Sequence, residues 1–187
     1  MGFQSTVNNA LPVGLAGDFA SENPAIQLIP PFGQAGGITT GGAAATDSFV
    51  AATGGVVVGA FAWITAAGGN YLSNAKGSAP STAPDGFIPR SQQGLILTQP
   101  LGVTPSTDTW YGNLIPAGQN VVAFQTGSFY VKCPSGSGAT AGQKAFASTT
   151  DGSISFAAAG ATVSGSVETN FTARNTCLAG EIAIISA

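Results

Sequence analysis

Glycine and proline punctuate this chain so densely that a long helix has nowhere to form. The 187 residues hold 27 Gly and 11 Pro, and one or the other interrupts almost every stretch longer than about a dozen residues. No window repeats apolar residues at i, i+3, i+4 and i+7, the stripe that an amphipathic helix needs. Short β-branched and aromatic runs between turn residues recur instead. They are Val56–Ile64, Gly94–Thr98, Asn120–Gln125, Ser128–Cys133, Lys144–Ser148, Ala161–Val167 and Glu181–Ile185. This spacing predicts an all-β domain, a jelly roll, β-sandwich or barrel, and not alternating βαβ units.

The first run is apolar on both faces. Val57, Phe61 and Trp63 alternate with Val58, Ala60, Ala62 and Ile64, so the strand is expected to be covered on two sides. One cover is the domain's own core; the other is a neighbouring chain or the chain's own arm. That arm is residues 1–50, with residues 51–187 forming the β domain. Pro12, Pro24, Pro30 and Pro31 exclude long helices there. Leu15, Phe19, Ile26, Leu28, Ile29, Phe32 and Ile38 make the segment too apolar for a solvated linker. An extended arm laid over another surface fits. Asp18 is placed to N-cap one helical turn that Asn23-Pro24 would end.

Charge narrows the function. Five Lys or Arg and eight Asp or Glu amount to 7% of the chain, against about 25% in typical soluble domains. A surface so poor in charge suits contact with other protein. Net charge is −3, and with so few dispersed basic residues no strong phosphate-dependent attraction to nucleic acid arises. The charge-free stretch from Ser48 to Ala75 is broken by glycines and is densely apolar only over Val56–Ile64. That is too short to span a bilayer as a helix, so no membrane partner is expected.

No catalytic, metal or cofactor constellation emerges. The chain has no histidine, which excludes the usual serine triad and Cys–His pair. Asp18 and Glu22 read as a cap and a solvated charge, while Asp47, Asp85, Asp108 and Asp151 sit in turn chemistry without a calcium-loop pattern. Gly136–Lys144 has the wrong spacing for a phosphate loop and reads as a surface hairpin. Cys133 and Cys177 are the only cysteines; the spacing leaves open whether they pair, with two buried reduced thiols the blander reading.

The order of motifs along the chain resembles the cement, or decoration, proteins of tailed-bacteriophage capsids. It runs from Val13-Gly14-Leu15-Ala16-Gly17-Asp18-Phe19-Ala20-Ser21-Glu22-Asn23-Pro24 through Val58-Gly59-Ala60-Phe61-Ala62-Trp63 to Gly86-Phe87-Ile88-Pro89-Arg90. Ile115-Pro116-Ala117-Gly118, Gly127-Ser128-Phe129-Tyr130-Val131-Lys132 and Gly142-Gln143-Lys144-Ala145-Phe146-Ala147 follow, leading to Asp151-Gly152. The segments 98–109 and 33–53 depart from the pattern.

The resemblance implies a non-enzymatic virion protein on the capsid exterior, made in the host bacterial cytoplasm. It also implies that small homo-oligomers, dimers or trimers, bridge capsomers of the major capsid protein. With the apolar arm it assigns the capsid or oligomer interface to Val13, Leu15, Asp18, Phe19, Pro24, Ile26, Leu28, Ile29 and Phe32, together with Phe61, Trp63 and Arg90. The competing class is a carbohydrate- or host-receptor-binding β module of a virion. Its candidate site is Trp110-Tyr111 with Asp108 and Asn113.

Overall fold

The computed structural model describes residues 14–21, 49–52, 54–65, 71–79, 81–90, 114–115 and 117–187. Among these the regular elements are all strands. In chain order they are β1 (Phe49–Ala51), β2 (Val56–Val57), β3 (Phe61–Ile64), β4 (Tyr71–Ser73), β5 (Gly86–Phe87) and β6 (Leu114–Ile115). There follow β7 (Asn120–Val121), β8 (Ser128–Lys132), β9 (Lys144–Ser148), β10 (Ile154–Ala157), β11 (Ser166–Ala173) and β12 (Ile182–Ser186). The all-β expectation holds. The run Gly94–Thr98 lies outside the described residues.

Two five-stranded sheets carry the architecture, ordered β5-β3-β4-β1-β7 and β10-β9-β11-β12-β8, with β2 and β6 forming a separate pair. The second sheet is antiparallel throughout, while the first contains one parallel pair, β1 with β4. Asp151-Gly152 turns β9 into β10, as its turn chemistry suggests. The Asp151 side chain accepts from the Ser153 hydroxyl and backbone N–H at 2.7 and 3.1 Å. Burial alone would raise the Asp151 pKa, but these bonds, with one to Ser148, hold it below the ordinary carboxylate value.

The segment Gly136–Lys144 is not a hairpin. In the sheet, β11 and β12 separate β9 from β8, so this connection crosses over them. Midway it pairs with the chain after β11: Ala139 and Cys177 exchange backbone hydrogen bonds of 3.0 and 2.9 Å. The run read as Ala161–Val167 is also displaced, because the strand there is β11, starting at Ser166. Its polar centre explains the shift. Register against β9 slips between Glu168 and Thr172, and the buried Thr169 hydroxyl donates to Ala145 O at 2.8 Å while accepting from Phe171 N–H at 3.2 Å. A side chain thus makes hydrogen bonds that backbone would make in a regular ladder.

The run Val56–Ile64 is two strands, not one. Val58, Gly59 and Ala60 turn between β2 and β3, with Gly59 at φ +78°, a conformation that few residues other than glycine adopt. A buried amide fixes this turn. Asn74 Oδ1 accepts from Val57 N–H at 2.6 Å, and Nδ2 donates to Val57 O at 3.3 Å and Phe61 O at 2.9 Å.

β3 is covered on two sides as expected, but among the described residues both covers come from the 51–187 domain, not from the arm or a neighbouring chain. Phe61 and Trp63 enter a cluster with Phe87, Phe129, Val131, Phe171 and Ile185, drawn from both large sheets. Ala62 joins a second cluster with Val56, Val58, Leu72, Ile88 and Ile115. At the centre of the first, Phe129 lies 4.7 Å from Phe87 and 6.1 Å from Phe171, centroid to centroid.

Candidate interaction surface

The early motif folds into a clip along β8. Leu15 to Asp18 form a tight turn, in which Asp18 N–H donates to Leu15 O at 3.0 Å and Gly17 takes the third position at φ +93°. Such a turn needs glycine there. The Asp18 carboxylate accepts from Leu15 N–H at 2.8 Å. Asp18 therefore binds the backbone before it, instead of capping a helical turn after it.

Backbone bonds then run to β8: Gly17 N–H to Tyr130 O, Tyr130 N–H to Asp18 O and Ala20 N–H to Ser128 O, each 2.8 Å. β8 is the edge strand of its sheet, and an open edge invites pairing with foreign chains. The clip occupies that edge. Phe19 caps it, 5.1 Å from Phe129 and edge-on to Phe124 at 5.3 Å.

Arg90 and Asp18, both singled out in the sequence, meet here. Arg90 Nε stands 3.5 Å from Asp18 Oδ1, and Arg90 N–H donates to Gly17 O at 2.7 Å. The pair is partly solvated, so it contributes about 0.2–1 kcal/mol, and the backbone bonds fix the clip more firmly. Close backbone approach completes the join: a Cβ on Gly59 would sit 3.2 Å from Ala16 C.

Two of the residues assigned to the interface are corrected. Phe61 and Trp63 are 1% and 0% exposed, so they offer no surface to a partner and serve the core. Leu15 and Phe19 remain 57% and 45% exposed even with the clip docked. Val13, Pro24, Ile26, Leu28, Ile29 and Phe32 lie outside the described residues, as do Glu22 and the cluster Asp108, Trp110, Tyr111 and Asn113.

Val57 and Leu114 are exposed apolar residues that the sequence reading did not single out. They face one another in register across β2 and β6. Leu15 and Phe19 belong to the clip, which touches the turn after β2 at Gly59. Exposed apolar side chains thus sit on three segments whose backbones are in contact. The signal for them was available in part, since Val57 alternates with buried neighbours.

Asp85 Oδ2 accepts from Ile64 N–H at 2.7 Å; burial raises its pKa, and that hydrogen bond offsets the rise in part. Among the described residues no group of three or more His, Cys, Asp or Glu is placed to hold a metal ion.

Comparison with known proteins gives this surface a context. A chain in the solved capsid of Myoviridae phage XM1 has a similar fold, with a TM-score of 0.50 at 16% identity, covering 100% of this chain and 97% of that one. None of the curated proteins matches. The family model of the XM1 gp53 minor capsid protein matches residues 3–187. That match takes in the clip, both large sheets and the crossing loop, and on that basis the chain belongs to the XM1 gp53 minor capsid protein family, as a structural protein of a phage virion.

Proposed function

We propose that the protein decorates the outside of an assembled phage shell, without catalysis. Small homo-oligomers bridge neighbouring capsomers of the major capsid protein and hold them together. The observation that carries this reading is that Leu15, Phe19, Val57 and Leu114 stand exposed on a chain with so few charges. The remaining parts of the 1–50 arm extend this footprint onto a neighbour.

Magnitudes decide what kind of attachment this is. Complete burial of an apolar side chain is worth about 1.5–3 kcal/mol, and these four are already about half covered, so docking gains roughly 3–6 kcal/mol. Association costs an estimated 4–15 kcal/mol of lost freedom. One footprint therefore roughly breaks even at best and falls short over most of that range. Attachment needs the arm and several footprints engaged together, which a symmetric oligomer on a repeating lattice supplies by raising the effective concentration of the second contact.

Shells assembled without the protein, mixed with it and pelleted, measure this attachment. Leu15→Asp is expected to keep the wild-type unfolding midpoint and bind about 100-fold more weakly, because a carboxylate would be buried unpaired. Deleting residues 1–13, which spares the docked clip, is expected to weaken binding while the domain still unfolds cooperatively. Wild-type decoration by both variants would sink the proposal.

A further inference from the structure

We propose that Cys133 and Cys177 form an intramolecular disulfide when the protein meets an oxidising medium, locking the crossing loop to the connection between β11 and β12. Their Sγ atoms are in direct contact, and both thiols are buried. Little motion is needed to join them.

The surrounding backbone holds them there. Cys133 follows β8 directly, and its N–H donates to Glu181 O at 2.8 Å. Cys177 exchanges two backbone hydrogen bonds with Ala139, and Gly180 N–H reaches Pro134 O at 3.1 Å. Gly138 permits the approach, since a Cβ there would collide with the Cys177 carbonyl oxygen. Two otherwise independent connections are thus pinned on both flanks of the sulfur pair.

The reaction needs an oxidant, and a small-molecule disulfide suffices. Cys177 is the more exposed residue of the two, at 9% against 2%, and exposed Leu178 follows it. As a thiolate, the Cys177 sulfur attacks one sulfur of the oxidant. That S–S bond breaks, and one small thiol leaves with the electron pair and a proton. The Cys133 sulfur, giving up its proton, then attacks Cys177 and expels the second small thiol. Two Sγ–H bonds are lost and one Sγ–Sγ bond forms, while the oxidant takes two electrons and two protons. Burial, followed by the neighbouring Cys177 sulfur, pushes the Cys133 thiol up to about 12. Burial of Cys133 still disfavours the thiolate in the closing step, which slows it at neutral pH.

The test incubates the full-length protein with oxidised glutathione. The expected product has lost two hydrogens, carries no glutathione, yields a Cys133–Cys177 cross-linked peptide, and has no thiol titratable after denaturation. Closing this loop should raise the unfolding midpoint by roughly 10 °C over the reduced protein, and the oxidant should leave the midpoint of a Cys133→Ala/Cys177→Ala variant unchanged.

A second readout separates the bond from general hardening. The raised Cys133 pKa gives the reduced protein stability that is complete below the ordinary thiol value of 9.0 and lost as pH rises towards about 12. The oxidised protein has no such thiol, so the gap between their midpoints should widen above pH 9. Two free thiols after prolonged incubation, stable glutathione adducts, or a linked protein with an unchanged midpoint would each overturn the proposal.

Discussion

Phe129→Ala is expected to cost about 4 kcal/mol of folding stability, the middle of the range for truncating a buried phenylalanine. For a chain of this size that lowers the unfolding midpoint by roughly 8–16 °C. The ring has no exposure and packs against Phe19, Phe87, Phe124 and Phe171 at centroid distances of 4.7–6.1 Å. Those partners come from the clip, from both large sheets and from the segment after β7, so no single element can move to fill the hole. The backbone on either side is also committed: Phe129 faces Ile185 in β12 and bridges Phe19 in the clip. Phe129→Leu keeps most of the volume and is expected to cost about 1.5 kcal/mol. Thermal unfolding followed by circular dichroism checks both; a midpoint for the alanine variant within 2 °C or so of wild type would mean that the cluster collapses freely.

Asn74→Leu is expected to cost about 3 kcal/mol, although the side chains are nearly the same size. The loss comes from polar groups left behind. Val57 N–H, Val57 O and Phe61 O all lose their partner, and the Phe61 bond is fully buried. Each buried group left unmatched costs about 1–3 kcal/mol. Asn74→Asp separates this account from simple packing. Its carboxylate can still accept from Val57 N–H, but it faces two carbonyl oxygens that require a donor. Burial and that repulsion raise the introduced carboxyl's pKa. A raised folded-state value means that stability is fullest at low pH and is lost as pH rises through it. Denaturant titrations between pH 4 and 7, at roughly one-unit steps, should show the Asp variant weakening towards neutrality relative to wild type. A pH-independent difference would argue that the amide only fills space.

The strands of the second sheet were the most legible in the sequence. β9 is found where Lys144–Ser148 was read, β8 ends one residue before its run and β12 is shifted by one residue from its own, because alternation there is uninterrupted by glycine. β10 and most of β11 were missed for a physical reason. Ile154–Ala157 is only four residues long, and β11 is interrupted by Glu168, Thr169 and Asn170, whose pairing is set by a bulge and by Ala145 on another strand.

The candidate surface was half legible. Leu15, Asp18, Phe19 and Arg90 were named from the sequence and come together. Phe61 and Trp63 were assigned outward because a strand apolar on both faces does not reveal that one domain supplies both covers. Val57 and Leu114 depend on a pairing between segments distant in the chain. No local pattern encodes that pairing.

The clip has a consequence for how the protein is made. Phe19 and its partner Phe129 are about 110 residues apart in the chain, and ribosomes add about 5–20 residues each second. The N-terminal segment therefore waits roughly 6–22 s for the strand it will cover to be synthesised. When many copies are translated side by side, a finished β8 from one chain can meet the waiting clip of another. Until its own β8 is made, the clip has no partner strand within its own chain.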